Sequence, residues 1–309
     1  MKISIIAGIA FVFHLNSLFA QDPQFTQHFS VGIYNNPAFT GSAGKARLTA
    51  AYRNQWTSLS GGGFNTSFLS FDISKEKLPV DIGIFSMHDR AGGGTLNTTQ
   101  LGISLGRGFK IFKNISLRIG LSGAIANRRL NTKNLIFAGN IDPIFNSQFY
   151  NSNYAIINYG MILHSRTFLL GFSANNLNEP YRSFYLTNSR LPIRYIAQGA
   201  VRVTPENPEN LSGLFLTINY LKQSEFTSFL PGLSYRYKSI KAGLAVRDED
   251  AFIANAAFSG KKLSIGYSYD YTISKLTNQT GGSHEITLNF TFGKLNEKRP
   301  GISFISSLF

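Results

Sequence analysis

The sequence predicts an all-β chain: a transmembrane, up-and-down antiparallel β-barrel of about 14 strands, with an irregular N-terminal segment at or inside its lumen. Three kinds of observation predict it. Apolar and polar residues alternate with a period of two along most of the chain, the pattern of strands with one greasy and one polar face. A short apolar run behind a lysine opens the sequence and reads as an export signal. Charged residues make up only 15% of the chain while aromatic residues reach 14%, against roughly 25% charged residues in soluble globular domains.

The alternation is clearest in the last hairpin. Leu263, Ile265, Tyr267, Tyr269 and Tyr271 share one face, and Ser264, Gly266, Ser268, Asp270 and Thr272 the other. After a turn-rich stretch, Thr277 to Ser283, the pattern returns with Ile286, Leu288, Phe290 and Phe292 against Glu285, Thr287, Asn289 and Thr291. A soluble sandwich would bury the greasy face between two sheets, whereas an outer-membrane barrel turns it to lipid and keeps the polar face around the lumen. So many strands in one sandwich would leave sheet edges to protect, and closure removes every edge.

Taken in order, residues 1–20 read as a secretory signal peptide: Lys2, the apolar run Ile3 to Phe13, and Ala20 before Gln21. The run is too short for a comfortable transmembrane helix. Leu18 departs from the small residue expected three positions before the cut. The chain has no Cys, so there is no disulfide framework, and none follows the apolar run to be lipidated.

Residues 21–44 have no clean period. Asp22-Pro23-Gln24-Phe25, Tyr34-Asn35-Asn36-Pro37-Ala38-Phe39 and Gly41 break any regular element. The segment is expected to plug the barrel or cap its periplasmic mouth, with residues 45–293 forming the barrel and 294–309 a C-terminal tail. Strands are expected from Ala46, where Leu48, Ala50, Tyr52 and Trp56 oppose Arg47, Thr49, Ala51, Arg53 and Gln55. They continue through Phe64 to Ser74, Val80 to Arg90, Thr95 to Arg107 and Asn114 to Arg128. Arg129 to Asn153 breaks the rhythm and is expected to be a long surface loop. Tyr154 to Ser165 and Arg166 to Asn176 form a hairpin, and Asn175 to Leu191 is a second irregular stretch. Pro192 to Thr204, Leu211 to Lys222, Ser228 to Lys238, Ile240 to Arg247 and Phe252 to Ser259 lead into the final pair. The polar face carries mid-strand charges: Arg47, Arg53, Arg118, Arg236, Asp270 and Glu285.

Net charge is +14. In an exported chain with its Lys and Arg scattered through strands and turns, this points to anionic outer-membrane lipid or an acidic partner surface, not to nucleic acid. Catalytic signals are weak. Gly102-Ile103-Ser104-Leu105-Gly106 matches G-x-S-x-G, but it lies within a strand where the motif needs a strand-to-helix elbow. His284-Glu285 begins H-E-x-x-H, yet position 288 is Leu. His88, Asp89 and Ser86 form the best remaining candidate for a hydrolase site. No cofactor or metal is implied.

Several separated segments carry a resemblance. Gln21-Asp22-Pro23-Gln24-Phe25-Thr26-Gln27, Tyr34, Asn36-Pro37-Ala38 and Gly41, then Arg53-Asn54-Gln55-Trp56, then Gly266-Tyr267-Ser268-Tyr269-Asp270 and Gly282-Ser283-His284-Glu285-Ile286 resemble, in this order, landmarks of the PorP/SprF family of type IX secretion system membrane proteins. Phe39, where that family would have Tyr, and the tail from Lys294 depart from the pattern. The resemblance implies a non-enzymatic outer-membrane barrel that works with the type IX secretion and gliding machinery. Its partners would be secretion components and a secreted adhesin or other cargo with a C-terminal targeting domain. It implies docking or structural roles for Asp22, Pro23, Gln24, Phe25, Tyr34, Asn36, Pro37, Arg53, Trp56, Asp270, His284 and Glu285. Arg47 and Arg53 are expected to meet the N-terminal segment from the wall, and the His284-Glu285 pair to join the same interior network, although a period of two puts the two on opposite faces. The competing reading is a general porin or small-solute channel, with an arginine-lined lumen.

Overall fold

A computed structural model describes residues 22–59, 62–133, 149–184, 189–205, 212–274 and 280–295. The signal, the core of the expected loop at 134–148, part of the Thr277 turn and the tail from 296 lie outside the described residues.

Fourteen antiparallel strands close into one barrel, each paired with its sequence neighbours and the first with the last. They are β1 (Ala46–Gln55), β2 (Phe64–Ile73), β3 (Asp81–Ala91), β4 (Leu96–Phe112), β5 (Ile115–Asn131), β6 (Phe149–His164) and β7 (Phe168–Asn175). They continue as β8 (Arg194–Arg202), β9 (Gly213–Gln223), β10 (Phe226–Tyr237), β11 (Ile240–Arg247), β12 (Ala251–Ser259), β13 (Leu263–Thr272) and β14 (Ser283–Phe292). Up-and-down connection is the simplest route for a chain whose neighbouring strands pair, and closure leaves no edge strand. The expected loop at Arg129 to Asn153 is shorter than the sequence suggested. Here β5 runs to Asn131 and β6 starts at Phe149, paired residue for residue. Polar outward side chains there hid the strand period.

The period-two pattern maps onto the wall. Leu48, Leu101, Ile103, Ile125, Leu244, Phe252, Leu288 and Phe290 are exposed on the outside, while Arg47, Arg53, Arg118, Asp270 and Glu285 are buried on the inside. In water such a surface would associate; in a bilayer it is the lipid belt. The lumen is less polar than the alternation suggested. Phe68, Phe85, Met87, Ile156, Ile162 and Leu169 also point inward and are buried.

Those inward apolar residues pack against residues 22–45, which pass through the inside of the barrel. Phe25, Phe29, Val31, Ile33, Tyr34, Ala38 and Phe39 join them in one hydrophobic cluster. Within the segment, one helical turn, α1 (Gly32–Asn35), is followed by a 3-10 turn at Pro37–Phe39. Asn36 caps the 3-10 turn by accepting from the Ala38 N–H at 2.9 Å, and Pro37 at its first position suits that turn.

The segment spans the height of the barrel. Its start, at Asp22, bonds Gln223 and Asn176, at the end that carries connections 56–63, 132–148, 176–193 and 273–282. Its finish feeds β1 at the opposite end, where the turns at 113–114, 165–167, 238–239 and 260–262 are short. The connections at 74–80 and 203–212 at that end are longer, though shorter than 132–148 and 176–193 at the Asp22 end. Bacterial barrels keep short turns in the periplasm and longer loops outside, which assigns the Asp22 end to the outward side.

Leu105 sits within the apolar belt, cross-strand from Ile82 and Leu121. Leu105→Arg is expected to cost about 2–4 kcal/mol, measured by urea unfolding in lipid vesicles. A cost near zero would mean that this face does not contact hydrocarbon.

Candidate functional site: the N-terminal segment and its charged cradle

The site is built from inward charges at two levels of the wall. Near the outward end, Arg53 of β1 lies cross-strand from Glu285 of β14. Its guanidinium contacts Glu285 at 3.2 Å and Asp270 of β13 at 2.8 Å, and Arg247 of β11 reaches Asp270 at 3.0 Å. Into this group the segment inserts Thr26. Its hydroxyl donates to Asp270 at 2.8 Å and accepts from Arg53 at 2.6 Å and Arg247 at 2.8 Å. The Glu285 carboxylate also accepts the backbone N–H groups of Thr26 and Gln27, at 2.7 and 2.8 Å. An irregular backbone has no ladder of its own, so these wall side chains supply its missing partners.

Toward the inward end the arrangement recurs. Arg47 pairs with Asp72 at 3.0 Å and also donates to the Phe39 carbonyl. Arg118 pairs with Asp81 at 2.8 Å and donates to the Ala38 carbonyl. Asp72 in turn accepts the Gly41 N–H at 2.7 Å. Each arginine thus holds a carboxylate and a carbonyl of the segment together, Arg47 with Asp72 on the adjacent β2 and Arg118 with Asp81 on β3, across the intervening β4.

Between the two levels the fit depends on missing side chains. A Cβ on Gly120 would lie 2.3 Å from the Ala38 nitrogen, and one on Gly160 would lie 2.0 Å from the Asn36 amide oxygen. Glycines let the backbone of the 3-10 turn lie directly on the wall. The Asn36 amide then donates to the carbonyls of Met161 and Phe172, at 3.2 and 3.1 Å.

At the outward mouth, Asp22 accepts from Asn176 at 2.8 Å and Gln223 at 3.0 Å. Tyr34 donates to the Pro23 carbonyl at 2.8 Å, and Arg194 donates to the Tyr34 hydroxyl at 3.1 Å. Phe25 packs edge-on to Tyr34 and Phe68. Burial pushes the Tyr34 phenol up to about 12, against the opposing pull of Arg194. It pushes the His28 imidazole down to about 4, although a bond from Nδ1 to the Thr26 carbonyl favours the proton.

The structure therefore gathers most of the residues singled out from sequence. Phe25 and Tyr34 meet; Arg53, Asp270 and Glu285 meet; Asp22, Pro23, Asn36 and Pro37 lie along the same segment, with Gln24 half-buried beside them. Two residues do not join. His284 lies outside the barrel, where its Nδ1 bonds the Tyr267 hydroxyl at 2.8 Å; one residue's offset from Glu285 on a strand puts it on the opposite face. Trp56 follows the end of β1 with φ 59°, its ring edge-on to Phe64. Sequence reasoning missed Thr26, Asp72, Asp81, Arg194 and Arg247, whose roles depend on long-range pairing. Of the catalytic candidates, Ser104 is buried and bonds Thr40 at 2.6 Å, while His88 faces outward and bonds Thr99.

The sequence profile of the family described as "Type IX secretion system membrane protein PorP/SprF" matches residues 17–290. No curated protein matches the chain. Among solved structures, the chain is similar to the CymD monoaromatic hydrocarbon channel, with 12% identity, 86% of this chain and 93% of that one covered, and a TM-score of 0.53. It is also similar to a Pseudomonas aeruginosa FadL homologue, with 14% identity, 90% and 96% coverage, and a TM-score of 0.46. The former likeness supports the outer-membrane barrel fold alone.

Arg53→Met would leave the carboxylates of Asp270 and Glu285 short of a partner. It is expected to cost about 3–5 kcal/mol in urea unfolding; a loss below one kcal/mol would show that the network does not hold the segment. Gly120→Val is expected to displace the 3-10 turn, seen as faster hydrogen exchange at Ala38 to Gly41, and unchanged exchange would contradict the packing described. His28 is a base whose folded pKa lies below its unfolded value, so the unfolded chain takes up the proton first. Stability should fall as pH drops from about 6.5 toward 4, and His28→Asn should flatten that part of the profile; identical profiles would refute the assignment.

The chain is an outer-membrane β-barrel and belongs to the PorP/SprF family of type IX secretion system membrane proteins.

Proposed function

We propose that the protein is a non-enzymatic docking barrel of the type IX secretion and gliding machinery, supporting export or surface attachment of a specific secreted partner. The reading rests on its family and on one observation above others: the lumen is occupied by the chain's own segment, pinned by buried charges at both levels. A wall built to hold a plug this closely is poorly suited to free passage of solutes. What remains for function are the mouths. At the outward mouth, the Asp22 to Phe25 stretch lies beside Asn176, Gln223 and Arg194, near the long connections where binding residues concentrate in barrels. Asp22, Pro23 and Gln24, half-buried at the mouth, are the residues assigned to partner contact, and the buried Phe25 anchors them. Arg53, Asp270 and Glu285 hold them in place. The partners proposed are secretion components and a secreted adhesin or other cargo with a C-terminal targeting domain.

A second reading, a general porin or small-solute channel, has one observation in its favour. The inward residues Gly232, Ser234, Gly243, Ala245 and Ala257 of β10–β12 are only half-buried, so the segment does not fill that sector of the lumen.

The experiment is affinity isolation of the tagged full chain from mildly solubilised outer membranes, paired with planar-bilayer conductance. The docking reading expects a large secreted protein or secretion components to co-purify, their loss on deletion of residues 22–41, and no stable conductance from the full chain. Isolation of the barrel alone together with steady conductance steps would favour the porin.

A further inference from the structure

The outer wall of β2–β6 changes character in a single step. One ladder row, Leu69–Ser86–Leu101–Ile125–Ala155, is apolar or small. The next row toward the outward end, Ser67–His88–Thr99–Asn127–Asn153, is wholly polar. Beyond it comes Arg129, exposed, its guanidinium 3.8 Å from the centre of the Phe149 ring. Lys133 lies over the same ring, and Arg90 is exposed two strands away. Among the described residues, no carboxylate faces outward on β3–β6 above the apolar row; Asp89 points inward to Thr66.

Two concavities lie on either side of this boundary. Above it, a polar hollow of about 380 Å³ is lined by residues that include His88, Asn97, Asn127, Arg129 and Asn131. Below it, an apolar groove of about 640 Å³ runs over the same strands. Its outward floor is Ser86, Gly123 and Ala155, and its walls include Leu101, Ile103, Ile125 and Ile157. The groove exists because small residues alternate with large ones across the rows.

We propose that this face binds one phosphorylated, acylated glycolipid of the outer leaflet: the phosphate on Arg129 and Lys133, sugar hydroxyls on the asparagines and His88, and an acyl chain in the groove over Gly123. Charge selects the headgroup. A basic pocket at the edge of a lipid belt, with no carboxylate among its described lining residues, suits an anionic phosphate better than a cationic amine. Position selects the leaflet, because the pocket lies at the end with the long connections. The groove directly beneath it selects an amphiphile over a free phosphate. The asparagine and histidine side chains add donors and acceptors for a sugar.

Two substitutions separate the halves. Gly123 has room for a side chain: a Cβ there meets nothing nearer than 3.9 Å, so Gly123→Leu fills the groove without straining the backbone. Arg129→Gln removes the headgroup charge. Lys222→Gln removes an exposed cation on β9 and serves as a control. The purified full chain in detergent is offered a diphosphorylated, acylated glucosamine disaccharide or phosphatidylethanolamine, and bound lipid is read by native mass spectrometry. Heat-dependent gel mobility confirms that each variant is folded. Wild type and Lys222→Gln should retain one glycolipid, while Arg129→Gln and Gly123→Leu each lower the bound fraction at least about tenfold. No retention by wild type, equal retention of phosphatidylethanolamine, or undiminished binding by Arg129→Gln would overturn the proposal.

Discussion

The structure depends on one constraint: an irregular backbone inside a membrane barrel must find every hydrogen-bond partner on the wall. Glu285 meets it most directly, accepting two consecutive N–H groups of the segment. Glu285 is tolerated there because Arg53 stands opposite, and Arg53 lies on the first strand while Glu285 lies on the last. The same contacts therefore close the barrel's seam and seat the segment. Buried ion pairs of this kind add little net stability compared with a well-packed apolar core, but losing one partner is costly. They fix where the segment sits more than how tightly the barrel folds.

The inward end repeats the device with different partners. Arg47 and Arg118 each join a carboxylate to a carbonyl of the 3-10 turn, so the segment is tied at both ends and packed between. The packing explains why the lumen carries Phe68, Phe85 and Met87. A water-filled lumen would have no use for buried phenylalanines; a lumen holding Phe25, Tyr34 and Phe39 does. Wall glycines complete the fit where bulk would push the turn away.

Much of this was legible in the sequence, and the reasons are local. Period-two alternation in the final hairpin and in Ala46 to Gln55 gave the strands and their faces, because side chains on a strand have no other choice. Pro and Asn in residues 21–44 marked a segment that could not be a strand. The placement of Arg53 and Glu285 inside also followed from period. What could not be read was pairing across long separations: Thr26 with Asp270, or Asn36 with Met161 and Phe172, depends on which strand lies where once the barrel closes. The same period separates His284 from Glu285, and the structure follows the period: Glu285 faces the segment while His284 bonds Tyr267 on the outside. The extension of β5 and β6 past Arg128 was hidden because outward polar residues there stand above the lipid belt, where alternation no longer separates greasy from polar.

The central claim is that residues 22–45 lodge inside the barrel as one unit with its wall. Thr40 and Ser104 meet through their hydroxyls at 2.6 Å, and the chain has no cysteine of its own. A Thr40→Cys, Ser104→Cys double variant, assembled in cells and run without reductant, tests the claim directly. A near-complete disulfide, absent from each single variant, is the predicted result. A folded barrel in which both thiols stay free and label readily would contradict it.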